Sequence, residues 1–228
     1  MGAGGVFWAR EGIDAEASRR SVRCRAKVKG GSFVGGDTTL IVTGWMRAEG
    51  RAAWRQRKLH CMRVFGIDCG TEFTGYGVVE EDCDARTPKL RYLCAGAVKL
   101  SKKDTTSQRL AQVYAELTAL MHLWEPEMVA IEEVFFSANA KSALKLGQVR
   151  GVAMLAAANC GLAVAEYAPL SIKSAVVGYG LAAKEQVQFM VARLLDLAEA
   201  PKPADAADAL AIAICHIHHA QTAEALRR

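Results

Sequence analysis

From Met62 onward the chain carries three short apolar runs separated by turns, then a regular alternation of helical and strand patterns, an order that few folds accommodate. The first run, residues 64–68, ends in a Gly-containing turn, and the second covers residues 74–79. The third, residues 90–100, follows a polar turn over residues 82–88. Leu110, Val113, Leu117, Leu120, Met121 and Trp124 then recur at helical spacing. Residues 128–131 read as a short buried strand, 142–159 as a long helix and 163–167 as another strand. Val187, Met190, Val191, Leu194 and Leu195 mark a further helix, and residues 204–220 a last one after Pro201 and Pro203. The expected fold is therefore α/β, a mixed five-stranded sheet flanked by helices.

Residues 1–61 read differently. They are rich in Gly and Arg, with no sustained periodicity beyond a possible strand at residues 38–43 and a basic stretch from Arg47 to Lys58 that lacks a continuous apolar face. Of the 29 Lys and Arg, 12 fall here against 5 of the 24 Asp and Glu, leaving 17 basic and 19 acidic residues in 62–228. The formal charge of +5 is therefore a property of the extension. A DNA site on the globular part needs a local patch rather than bulk charge. Residues 1–61 are expected to be a disordered extension, or upstream sequence translated from an early start, because Met62 stands directly before the first strand signal. A basic DNA-binding arm and an organelle transit peptide are the other readings. The expected domains are thus 1–61, a basic extension, and 62–228, the globular domain.

The seven cysteines, Cys24, Cys61, Cys69, Cys83, Cys94, Cys160 and Cys215, include no Cys-x-x-Cys pair. Neither a zinc ribbon nor a disulfide framework is suggested, and a reducing cytoplasm is the simple reading. No secretory signal is evident, and the longest apolar stretch, residues 151–165, is broken by Asn159 and Gly161 and too short to span a bilayer.

Four carboxylates stand where burial is expected. Asp68 ends the run VFGID, Glu132 ends VAIE, and Asp205 and Asp208 lie in the otherwise apolar PADAADALAIA. The spacing of the last two puts both on one face of a first helical turn. Buried like charges need a compensating partner, and those segments offer no equally placed Lys or Arg. A divalent cation answers the need, and oxygen-only donors favour Mg²⁺ or Mn²⁺ over Zn²⁺. Two such ions about 4 Å apart support phosphodiester hydrolysis. Each acid also has a plain structural reading: Asp205 as a helix cap, Asp208 as a complement to the helix dipole, Asp68 as a turn former before Gly70. Glu132, apolar on both sides, is the hardest to explain that way.

Five segments, MRVFGIDCGTEFTGYGVVEED (62–82), VAIEEVFFSANA (129–140), SALKLGQVRGVAMLAAAN (142–159), EYAPLSIKSAVVGYGLAAKEQV (166–187) and PADAADALAIA (203–213), resemble the RuvC family of crossover junction endodeoxyribonucleases, in that family's order and spacing. The resemblance implies a ribonuclease H-like fold that gathers Asp68, Glu132, Asp205 and Asp208 around two Mg²⁺ ions, with Mn²⁺ as a substitute. It implies symmetric cleavage of Holliday junctions in recombination and repair, leaving 5′-phosphate and 3′-hydroxyl ends. It further places Lys173 and Lys184 near the scissile backbone and Phe135 as an aromatic wedge against junction bases, where packing beside Phe136 is the plain alternative. It implies a cytoplasmic homodimer paired through the helix of residues 142–159, and cooperation with the RuvA–RuvB branch-migration machinery. Core packing is the alternative for that helix, since Gly147 and Gly151 also suit close contact within one chain.

Two positions depart from the family pattern. Cys69 replaces a common proline, and Glu72 adds negative charge where a basic or polar residue often stands. Two rival readings remain. The hairpin GIDCGTEFTGYG resembles the phosphate loop of actin- and sugar-kinase-type enzymes, which would require a second lobe and a second phosphate loop. A junction-binding scaffold without cleavage is the non-enzymatic alternative.

Overall fold

The computed structural model describes residues 62–82, 89–133 and 140–227. The expectations for residues 1–61, including a strand at 38–43, and for Phe135 lie outside the described residues. In chain order the elements are β1 (Arg63–Asp68), β2 (Phe73–Asp82), β3 (Lys89–Lys99), α1 (Thr106–Trp124), β4 (Met128–Glu132), α2 (Ala140–Asn159), β5 (Ala163–Tyr167), α3 (Pro169–Val177), α4 (Lys184–Leu194) and α5 (Ala204–Ala225). The continuous apolar run of β1 is buried on both faces, and the helical stripe of α1 is buried as its spacing requires. The nine-residue α3 had no separate reading in the sequence; its fully buried apolar residues are just Ile172 and Val176, too little to register as a period.

The strands form one mixed sheet in the order β3-β2-β1-β4-β5. β1, β2 and β3 make an antiparallel meander, and β4 and β5 add in parallel on the other side of β1. The helical crossovers needed between parallel strands are α1, leading from the meander to β4, and α2, leading from β4 to β5. This is a ribonuclease H-like arrangement with one sheet. A second lobe, which the actin-type reading requires, is absent among the described residues.

Val64 and Ala130 share a buried cluster with Ile172 and Val176 of α3, Val187 and Val191 of α4, and most of the inner face of α5. Phe65 and Ile67, one residue out of phase, point to the opposite face and are fully buried. α1 and α2 remain to cover them, burying Val113, Leu117, Ala153 and Ala156. α1 begins at a capping box in which the Thr105 side chain and the Gln108 side chain each accept from the other's backbone N–H.

α5 lies unusually close to the sheet, and glycine on β1 and β2 is the reason. A β-carbon at Gly66 would overlap the Ala209 carbonyl oxygen, and one at Gly75 the Asp205 carbonyl oxygen. At Gly77 it would come within 2.7 Å of Leu210 Cγ. Gly66 and Gly77 are paired across β1 and β2, and Gly75 is paired with Asp68, so the three form one flat seat. The alanines of α5, including Ala206, Ala209 and Ala213, keep the helix side of that contact equally thin. At the other end of β1, Glu80 is nearly buried between two arginines: Arg63 donates from Nε at 3.0 Å and Nη2 at 2.6 Å, and Arg91 pairs with the second oxygen. Arg63 Nη1 also donates to the Trp124 carbonyl, tying the sheet to the end of α1. No helix among the described residues is long and apolar enough to cross a membrane.

Candidate active site

β1 and β4 run parallel with Gly66 beside Ala130 and Ile67 beside Ile131, so Asp68 and Glu132 are the next residues at the same end of neighbouring strands. Their phase along each strand directs both carboxylates to the face carrying α5. That helix begins at the same end: Pro203 is its N-cap, Asp205 stands in its first turn and Asp208 one turn further. Asp205 makes no side-chain cap of the helix, so the capping alternative does not hold. Three elements distant in sequence thus bring the four acids to one edge of the fold.

Their mutual influence is visible in the charge they can carry. Burial and then the Asp208, Glu132 and Asp205 carboxylates push Asp68 up from 3.8 to about 7, against an opposing pull from Lys184. Glu132 is also raised, by burial first and then by Asp208, while Lys173 and Lys184 counter the shift. A cluster that retains a proton near neutrality is short of positive charge, and an all-carboxylate donor set is what a hard divalent cation prefers. The chemistry of these residues fits such an ion. Among the described residues, however, no three acids, thiols or imidazoles stand close enough to hold an ion as they are. The acids are electrostatic neighbours, with Lys184 drawn in among them.

The compensating cation that the local segments lack comes from α4. Lys184 Nζ lies 2.5 Å from Asp208 Oδ2, and this bond, together with the surrounding acids, raises the lysine's own pKa. Lys173, on α3, donates to the Ala182 carbonyl at 2.9 Å, which fixes the loop leading into α4. Both lysines therefore border the acidic edge. Phe135 is outside the described residues.

The two departures are harmless to the charge balance. The Cys69 thiol is raised by burial and by Asp68, so it stays neutral. Glu72 is exposed and pairs with Lys102 at 2.7 Å, which lowers its pKa. Arg109 of α1 donates to the Thr71 carbonyl in the same turn.

Several contributors had no reading in the sequence. Gly66, Gly75 and Gly77 set the depth of α5, and their alternation along two apolar runs was the available signal. Arg150 of α2 donates from Nε to the Glu132 carbonyl at 3.2 Å and pairs with Glu166 through Nη2. Nothing local announces that contact, because its partners lie 18 and 16 residues away.

The family model described as "Crossover junction endodeoxyribonuclease RuvC" matches residues 64–216, a span that includes all four acids and both lysines. The chain belongs to the RuvC family. A relative from Acidobacterium capsulatum with the RuvC name is 64% identical over 169 residues, covering 72% of this chain and 98% of its own. One from Koribacter versatilis is 62% identical over 161 residues, covering 71% and 95%. Among solved structures, Thermus thermophilus RuvC matches with a TM-score of 0.66 and 39% identity, over 71% of this chain and 97% of that one. The same protein in complex with Holliday junction substrate matches with a TM-score of 0.64 and 37% identity, over 71% and 96%. The RuvC relatives are covered almost end to end, so the resemblance extends to a whole nuclease domain rather than a shared motif.

Proposed function

We propose that this chain is a structure-selective endonuclease that resolves Holliday junctions during homologous recombination and DNA repair. The observation that carries the reading is the gathering of Asp68, Glu132, Asp205 and Asp208 at one edge, where burial first and then its acidic neighbours raise Asp68 to about 7. A scaffold that had lost cleavage would have no use for so costly a cluster. Family membership supplies the substrate class, since the relatives are named crossover junction endodeoxyribonucleases and one was solved on a junction.

Asp68, Glu132, Asp205 and Asp208 would hold two Mg²⁺ ions, with Mn²⁺ able to replace them. Bound there, the ions supply water activation and charge neutralisation at the leaving 3′ oxygen. The protein's own part is positional. The parallel β1–β4 pair aligns two acids, and the glycine seat holds α5 close enough to present the other two. Lys184, protonated throughout the neutral range, offsets phosphate charge beside Asp208, and Lys173 does so from the α3 side. The products are a 5′-phosphate and a 3′-hydroxyl. Phe135 is assigned to stacking on a junction base.

A homodimer paired through α2 would place two such sites on one junction. Leu144 and Leu155 of that helix are exposed, and Gly147 and Gly151 face open space rather than packing within the chain, which supports an outward-facing interface. The dimer is expected to act in the cytoplasm with the RuvA–RuvB machinery. The nuclease domain is assigned to residues 62–228, so protein beginning at Met62 should cleave as well as the full chain.

The test is cleavage of a synthetic four-way junction with Mg²⁺ by wild type and by the four single acid-to-amide variants. Paired symmetric nicks by wild type, and binding without cutting by the Asp68→Asn variant, support the reading. Cutting of linear duplex at the same rate, or undiminished cutting by Asp68→Asn, overturns it.

A further inference from the structure

Arg150 connects two parts of the molecule that the nuclease reading uses separately. It sits in the middle of α2, with a side chain only 19% exposed, and both working ends of its guanidinium are engaged. Nε donates at 3.2 Å to the main-chain carbonyl of Glu132, and Nη2 pairs with the Glu166 carboxylate on β5. β5 is the edge strand beside β4, where Glu132 is in register with Tyr167. The nitrogen of the same peptide is fixed by β5, since Glu133 N–H donates to the Tyr167 carbonyl at 2.9 Å. The peptide group following Glu132 is therefore held at both its oxygen and its nitrogen.

That clamp matters because Glu132 is the last residue of β4, one position past the end of the pairing with β1, so the sheet holds its backbone from the β5 side alone. A carboxylate at a strand end points where its main chain points. Arg150 does not act on the carboxylate directly: the groups that shift Glu132 are Asp208, Lys173 and Lys184, besides burial. Its bond goes to the carbonyl, leaving both carboxylate oxygens free of it.

We propose that Arg150 is a positioning residue that aims the Glu132 carboxylate into the metal site by gripping its carbonyl from α2, with Glu166 holding the guanidinium in place. The inference rests on the metal-dependent reading above and adds a physical link between the helix assigned to dimer contact and the acid at the end of β4. Groups that orient metal-binding carboxylates typically change metal affinity or activity by about 10–100-fold when removed.

The test uses full-length protein and Mn²⁺ as the metal probe, titrated calorimetrically without DNA, alongside junction affinity in Ca²⁺ and single-turnover cleavage. For Arg150→Ala, Mn²⁺ affinity and cleavage should each fall about tenfold or more while junction affinity holds. Arg150→Lys, which keeps one donor in reach of the carbonyl, should recover part of both. Glu166→Gln keeps a side-chain oxygen to accept from Arg150 Nη2, so the guanidinium stays seated and both should shift far less. It also serves as the second reading if Arg150→Ala fails to fold, since loss of metal affinity in the lysine variant but not in Glu166→Gln still supports the clamp. Weakened junction binding with unchanged Mn²⁺ affinity would mean that Arg150 contacts DNA, and lowered thermal stability with unchanged Mn²⁺ affinity would mean a staple and nothing more. Either result overturns the proposal. Failure of wild type itself to bind Mn²⁺ would instead bring down the metal reading on which it rests.

Discussion

The Lys184 ammonium lies 2.5 Å from Asp208 Oδ2, so the acid edge of α5 carries its own counter-charge, delivered from the first residue of α4. The pair is partly exposed, and an ordinary surface ion pair of that kind contributes little to stability. Its location beside Asp68 gives it a different use, because the same cation also lowers the pKa of that aspartate. Lys184→Met should reduce junction cleavage by roughly 10²-fold, as loss of one charge-stabilising donor does in other phosphoryl- and acyl-transfer sites, with little change in fold. Single-turnover cleavage together with thermal melting measures both. Wild-type cleavage by the variant would leave the pair as surface decoration.

The metal-free protein should lose stability as pH rises through the window from about 4 to 7. Asp68 has a folded pKa of about 7 against an ordinary 3.8, so over that interval the folded state holds a proton that the unfolded state has released. Stability from this source is full below the ordinary value and is lost as pH rises through the folded one. Glu132, also raised, acts in the same direction. Glu80, lowered by hydrogen bonds from Arg91 and Arg63 against its burial, has the opposite sign, but its effect falls below its ordinary pKa of 4.5. Melting curves in EDTA should therefore decline from pH 5 to pH 8, and Mg²⁺ should restore the loss at pH 8. Asp68→Asn should flatten both responses. A metal-free melting temperature that climbs across this range would contradict the electrostatic picture of the site.

Much of this arrangement was legible before any coordinates. VFGID and VAIE each pair an apolar strand with a terminal acid, and the Asp205–Asp208 spacing sets two carboxylates on one helical face. Convergence is another matter. It depends on β1 and β4 being parallel neighbours with Ile67 beside Ile131, a long-range pairing that periodicity does not encode. The missing counter-charge was sought within the acid-bearing segments, whereas Lys184 reaches Asp208 across 24 residues of chain. Arg150 was invisible for the same reason. α3 escaped notice because nine residues with two buried apolar positions leave no period to detect.

Glu72, although it adds an acid to the turn following Asp68, should be neutral for catalysis. Lys102 takes up its charge at 2.7 Å on the exposed surface, and the turn itself is held by Arg109 on the Thr71 carbonyl. Screening at ordinary ionic strength weakens what field is left. Glu72→Gln should cleave within about twofold of wild type at physiological salt, as expected for exposed ion pairs. A gain of tenfold or more in apparent Mg²⁺ affinity would show that the site feels this charge after all.

The seat beneath α5 gives the sharpest structural prediction. Gly66 and Gly75 face backbone carbonyls of Ala209 and Asp205, which cannot move without displacing the helix that carries Asp205 and Asp208. Gly77 instead faces the Leu210 side chain at 2.7 Å, an atom set with some rotameric freedom, although the Leu210 backbone nitrogen is also near at 3.0 Å. Adding one methyl group to a packed interface commonly costs about 1–3 kcal/mol, and more where backbone must shift. Gly66→Ala and Gly75→Ala should therefore destabilise by about 3 kcal/mol or more in urea unfolding, and Gly77→Ala by less. Where Gly75→Ala still folds, cleavage should fall further than stability, because the displaced carbonyl belongs to a proposed metal ligand. Equal and small losses at all three positions would mean that α5 can ride up from the sheet freely, and that its closeness does not set the geometry of the acids.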